Sequence, residues 1–134
     1  MATKIFVNLP VENLGRSVGF FTKLGYAFNP QFTDENATCM IISEDIYAML
    51  LVKPFFKTFT NKEVADASKV TEVLIALSAE SRAGVDDHVN KVLAAGGQET
   101  KPAMDHGFMY QRSFSDLDGH QWEILWMDPA HVQK

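Results

Sequence analysis

An α+β fold of two βαβββ modules is predicted for this chain, each module a curved mixed sheet with its helix on the outer face. Three observations carry the prediction. The order strand, helix, three strands can be traced twice along the 134 residues. Asp116-Leu117-Asp118-Gly119 has the composition of a turn, because Asp bonds its own backbone and Gly accepts positive φ. The run after it alternates, with Trp122, Ile124 and Trp126 on one face and Gln121, Glu123 and Leu125 on the other.

The first module is expected over about residues 3–53. Lys4–Leu9 reads as a strand closed by Pro10. Asn13 is a helix N-cap, and Leu14, Val18, Phe21 and Leu24 fall on one helical face. Gly25 ends that helix as a C′ glycine. Tyr26–Phe32 follows, then a turn at Asp34–Asn36, a strand Ala37–Ser43, a turn at Glu44-Asp45 and a strand Ile46–Lys53. Pro54 opens a crossover to residue 69 with a short helical piece carrying Phe55, Phe56 and Phe59.

The second module, about residues 70–128, repeats the order. Val70–Ser78 reads as a strand. A helix from about Ala83 to Ala95 turns Val85, Val89, Val92 and Leu93 inward and stops at Gly96-Gly97. Gln98–Lys101, Met109–Ser115 and Gln121–Met127 complete the sheet. Val18 precedes Gly25 by the same spacing as Val89 precedes Gly96. Two such sheets side by side would line a cleft with their inner faces, where small-molecule sites lie.

Composition narrows the function. A net charge of −5 argues against a nucleic-acid partner, which needs a positive footprint. No basic amphipathic helix suggests membrane binding, and no run is long enough to span a bilayer. Cys39 is the single cysteine, set in the apolar run Ala37–Ile42, and reads as a small core residue rather than a reactive thiol. No charged segment followed by a long apolar stretch opens the sequence, so a cytoplasmic protein is expected.

Three stretches together resemble the vicinal oxygen chelate superfamily, the glyoxalase, bleomycin-resistance and extradiol-dioxygenase group. They are Ile5-Phe6-Val7-Asn8-Leu9-Pro10-Val11-Glu12-Asn13-Leu14, Ser17-Val18-x-Phe20-Phe21-x-x-Leu24-Gly25-Tyr26, and Asp116-Leu117-Asp118-Gly119-His120-Gln121-Trp122-Glu123. The likeness runs from about Lys4 to Pro129 and is nearest to lactoylglutathione-lyase-like proteins. Leu117 departs from the pattern, which has Pro there. The resemblance implies a divalent metal held by equivalent strands of the two halves. Carried over by position, the ligands fall at Phe6, near Leu50, at Leu74 and at Glu123. Only Glu123 can ligate, and one carboxylate beside Phe and two Leu does not replace a cation's water shell. No metal and no cofactor are therefore expected. The family likeness also implies a homodimer.

A Glu in so apolar a strand needs a partner: a metal, an arginine or another donor. A two-residue loop pairs Arg112 with Glu123. A three-residue loop pairs Ser113 with it, turns Gln111 the same way and sets Phe114 against Trp122. We favour Ser113 and Gln111, with Arg112 as the alternative. Asn8 shares a face with Phe6 and, by likeness to fosfomycin-resistance enzymes, is a polar anchor for a ligand; the competing reading has it satisfied by neighbouring backbone. Phe55 and Phe59 cap one end of the cleft or pack in the core. Among the histidines, His88 is placed on a solvated helix face, His106 near the cleft mouth, His120 in the hairpin and His131 in the tail.

The leading expectation is a protein that binds a small organic ligand in an apolar cleft lined by Phe6, Asn8, Leu50, Leu74, Gln111, Ser113, Phe55 and Phe59, akin to bleomycin-resistance proteins. The alternative is a glyoxalase-like lyase or isomerase with Glu123 as catalytic general base. A third reading is a scaffold acting only through protein contacts.

Overall fold

The computed structural model describes residues 3–131 and divides into two compact units, Met1–Ala65 and Asp66–Lys134. Each unit holds one four-stranded mixed sheet and its helix.

In the first unit the strand order is β1-β4-β3-β2, with β1 (Ile5–Val11), β2 (Ala27–Asn29), β3 (Ala37–Ile41) and β4 (Ile46–Val52). β1 runs parallel to β4, and the other pairs are antiparallel. Helix α1 (Leu14–Lys23) starts where Asn13 Oδ1 accepts the Arg16 N–H at 3.0 Å. It ends in a Schellman turn: Tyr26 N–H donates to the Phe21 carbonyl, Gly25 N–H to that of Thr22, and Gly25 takes φ 104°. The buried stripe is Ser17, Phe20, Phe21 and Leu24, rotated from the expected one, so Ser17 rather than Val18 faces inward. α1 packs on β4, and by strand register Leu9, Thr38, Met40, Ala48 and Leu50 form the buried face. Cys39 is buried as expected, and burial pushes its thiol pKa up. Pro54 sits in the first turn of α2 (Lys53–Lys57), a position that needs no N–H.

In the second unit the order is β5-β8-β7-β6, with β5 (Ile75–Ser78), β6 (Gln98–Asp105), β7 (Met109–Ser115) and β8 (Gln121–Met127). β5 and β8 are parallel. Helix α3 (Arg82–Ala94) is capped by Ser81 Oγ, which accepts the Gly84 N–H at 3.0 Å. Val85, Val89 and Val92 pack against the face of Phe114, Trp122 and Ile124. The Phe114 and Trp122 rings stack with centroids 6.4 Å apart.

Three expectations are corrected here. The strand placed at Val70 begins at Ile75; Val70, Val73 and Leu74 are more than half exposed. Leu93 is 43% exposed rather than core. His88 does not sit on a solvated face: its ring lies 5.4 Å from that of Phe114, and burial pushes its pKa down. β6 is an edge strand, exposed throughout, and its register shifts around Lys101 and Pro102, which blunts it against pairing with another chain. No helix among the described residues is long and apolar enough to cross a membrane.

Candidate functional site

The register of the last hairpin decides what stands beside Glu123. Ser113 pairs with Glu123, Phe114 with Trp122 and Arg112 with Ile124. Side chains alternate along a strand, so this pairing divides the second sheet into two chemically different faces.

The face under α3 carries Trp122, Ile124, Phe114, Tyr110 and Arg112. Arg112 is therefore corrected as a Glu123 partner or a pocket residue on that side. Its guanidinium donates twice to Glu99, at 2.8 and 2.9 Å, and to Asp86 at 3.0 Å, and its side chain is only 14% exposed. Tyr110 Oη donates to Asp86 at 2.6 Å. Arg82 forms a fork with Asp105 (both bonds 2.8 Å), donates to the Gly107 carbonyl and lies over the rings of Tyr110 and Trp126. These six residues tie α3 to β6 and β7. Reading the sequence alone missed this network. Its one visible signal is Arg112 itself, a charge on the alternation that otherwise holds Tyr110 and Phe114.

The clamp makes a pH prediction. Hydrogen bonds from Arg82 hold the Asp105 carboxyl down at about 2, and those from Arg112 and Tyr110 lower Glu99 and Asp86. A carboxylate with a depressed folded-state pKa stabilises the fold above its unfolded value and loses that contribution as pH falls through the folded one. Urea melts are expected to hold steady down to about pH 4 and to lose stability from there towards pH 2. Arg82→Met should flatten that limb; an unchanged slope would show that the clamp contributes nothing.

The face that α3 leaves uncovered carries Ala76 beside Glu123, then Ser113, with Gln111 and Leu125 one pleat away. Ser113 is 2% exposed and Glu123 half-buried. Among the described residues no hydrogen bond or ion pair reaches the Glu123 carboxylate. Glu123, Ser113 and Gln111 are thus brought together. Leu74 lies before β5, 54% exposed, and the residue paired with Glu123 is Ala76.

In the first unit, the face away from α1 carries Phe6, Asn8, Tyr47 and Met49. Phe6 stacks on Tyr47, ring centroids 4.9 Å apart. Asn8 Nδ2 donates to the Phe6 carbonyl at 3.1 Å, so local backbone takes one of its two N–H donors. Leu50 is corrected: β1 and β4 pair Leu9 with Leu50 and Asn8 with Met49, which turns Leu50 into the α1 core with no exposure. Phe55 and Phe59 meet edge to face at the end of α2, and Phe59 is 69% exposed. His106 and His131 flank Phe108, and His120 lies in the turn before β8.

That turn is built by Asp116, 7% exposed. Its Oδ1 accepts the N–H groups of Asp118 and His120, and its Oδ2 accepts the Trp122 indole N–H, all at 3.0 Å. Asp116 therefore aligns β8, and with it Glu123.

Two βαβββ units of this topology define the vicinal-oxygen-chelate fold, and comparison with known proteins agrees. Residues 3–43 match a family model described as bleomycin resistance protein-like N-terminal. A hypothetical protein of S. aureus is similar over 94% of this chain and 95% of its own, at 29% identity and TM-score 0.79. A glyoxalase/bleomycin resistance protein/dioxygenase family enzyme from Burkholderia phytofirmans PsJN is similar over 94% and 99%, at 14% identity and TM-score 0.77. The fosfomycin resistance protein FosX from Listeria monocytogenes is similar over 94% and 93%, at 16% identity and TM-score 0.67. No curated protein matches the sequence. The chain thus has the fold of these glyoxalase, bleomycin-resistance and dioxygenase proteins, and its residues 3–43 carry the bleomycin resistance protein-like N-terminal pattern.

The donor set does not fit the divalent metal that this fold implies. Taken singly, the face of the first sheet away from α1 offers Phe6, Asn8, Tyr47 and Met49, and the face of the second away from α3 the carboxylate of Glu123, and neither is a set of ligands. Among the described residues no three His, Cys, Asp or Glu side chains converge. A divalent cation exchanges its hydration shell only for several N, O or S donors at once.

Proposed function

We propose that this chain binds a small organic molecule on the uncovered face of its second sheet, without the superfamily metal. One observation carries the reading: Glu123 stands half-buried beside Ser113 and Gln111, and no described residue bonds its carboxylate. A carboxylate removed from water without a partner costs free energy, and a ligand that supplies the missing donors recovers it. Similarity to proteins described as bleomycin- and fosfomycin-resistance proteins supports a role in taking up small molecules.

The test is a thermal-shift screen of organic fragments followed by calorimetry. Indole fluorescence is a poor reporter, since Trp122 is 1% exposed and points under α3. A saturable ligand is expected, weakened about tenfold in Glu123→Gln, the scale of a charge-assisted hydrogen bond. A screen with no saturable ligand would sink the proposal. The same open carboxylate also suits a general base in a lyase or isomerase. Turnover that is lost in Glu123→Gln and kept in chelator would select that second reading.

A further inference from the structure

We infer that the ligand carries a protonated nitrogen, an ammonium or amidinium, seated on the Glu123 carboxylate. This rests on the reading above, that this face takes a ligand.

The charges of the second unit point one way. Arg112 is taken up by Glu99 and Asp86, and Arg82 by Asp105 and the Gly107 carbonyl, all on the α3 side. On the uncovered side the row across the sheet reads Ala76, Glu123, Ser113, Lys101. Lys101 belongs to the exposed edge strand, two strands from Glu123, about 10 Å at ordinary strand spacing, and forms no ion pair with it. Gln111 and Leu125, one pleat on, are neutral. The face therefore presents one carboxylate with no cation in ion-pair contact, Lys101 standing two strands away.

The acceptors around it suit an organic cation better than a metal. An ammonium presents three N–H donors and needs two or three oxygens at hydrogen-bond distance. The two Glu123 oxygens and Gln111 Oε1 are three oxygen acceptors on one face, with buried Ser113 beside Glu123 across the strands. A divalent metal needs a larger and more basic set. A neutral alcohol or amide leaves the carboxylate's charge unmatched. The chain's net charge of −5 also favours the approach of a cation.

The test uses the full chain and matched probes: 2-phenylethylamine against 2-phenylethanol, and benzamidine against benzamide, by calorimetry. The charged member of each pair is expected to bind about tenfold more tightly in wild type, the ratio falling to about one in Glu123→Gln. That variant should melt like wild type, since no bond within the fold is removed. Equal affinity within each pair overturns this inference and leaves the proposed function standing. A preference that survives in Glu123→Gln, or stoichiometric zinc that competes with the amine, also overturns it. If neither member of either pair binds, the inference fails, and an empty fragment screen takes the proposed function with it.

Discussion

Replacing Gly119 by alanine is expected to cost about 3 kcal/mol of stability and lower the thermal midpoint by roughly 10 °C. Two independent penalties meet at this residue. Its φ is 93°, which an L side chain rarely adopts. A Cβ there would also stand 2.8 Å from the Cα and N of Ser68 and 2.9 Å from the Ala67 carbonyl carbon. Those atoms are backbone, in a turn that Asp66 fixes by accepting from the Ser68 N–H and hydroxyl, so the clash is relieved only by moving a chain segment. Gly25 separates the two terms. It has φ 104° with open space where a Cβ would go, so Gly25→Ala should show the conformational cost alone, about 1 kcal/mol. Equal melting shifts for the two variants, read by calorimetry, would show that the 66–69 turn is not seated on Gly119.

The contrast between these glycines also marks what local sequence reveals. Helix ends were legible because capping is a matter of a few adjacent residues: Asn13 accepts from Arg16 three residues on, and Gly25 donates to Thr22 three residues back. The Asp116–Gly119 turn was legible for the same reason, and through it the Ser113–Glu123 register. Pairing between distant segments was not. Alternation shows that Leu50 and Met49 face opposite ways but not which of them faces α1; the parallel pairing of β1 with β4 decides it. Val70-Thr71-Glu72-Val73-Leu74 is rich in strand formers, yet β5 begins only at Ile75, because strand propensity does not supply a neighbouring strand. The neighbours Asp86, Asp87 and Asn90 point His88 to a solvated face. Helical geometry was the better guide, since His88 lies three residues after Val85 and four before Val92, on the stripe that meets Phe114. The arginine clamp joins residues 82, 86, 99, 105, 110 and 112, which no local window contains.

Asp116→Ala should be as damaging as Gly119→Ala, about 3 kcal/mol, for a different reason. The carboxylate accepts two backbone N–H groups and the indole N–H of Trp122, and both Asp116 and Trp122 are buried. Alanine removes the Asp116 acceptor of the indole N–H beneath α3, where loss of a buried hydrogen bond costs about 1–3 kcal/mol, and frees the turn as well. Asp116→Asn keeps one acceptor oxygen but points an amide N–H at a donor, so it should fall between wild type and Ala. Burial raises the Asp116 pKa in the folded state. A raised carboxyl pKa favours the fold when protonated and loses that advantage as pH rises through it, opposite in sign to the Asp105 clamp. The cost of Asp116→Ala, from urea melts, should accordingly be larger at about pH 4 than at pH 7. Because Asp116 and Gly119 hold the same turn, the double variant should lose less than the sum of the single losses. Full additivity would mean that the carboxylate and the glycine act on separate parts of the fold, and that the alignment of β8, and so of Glu123, does not depend on this turn as a unit.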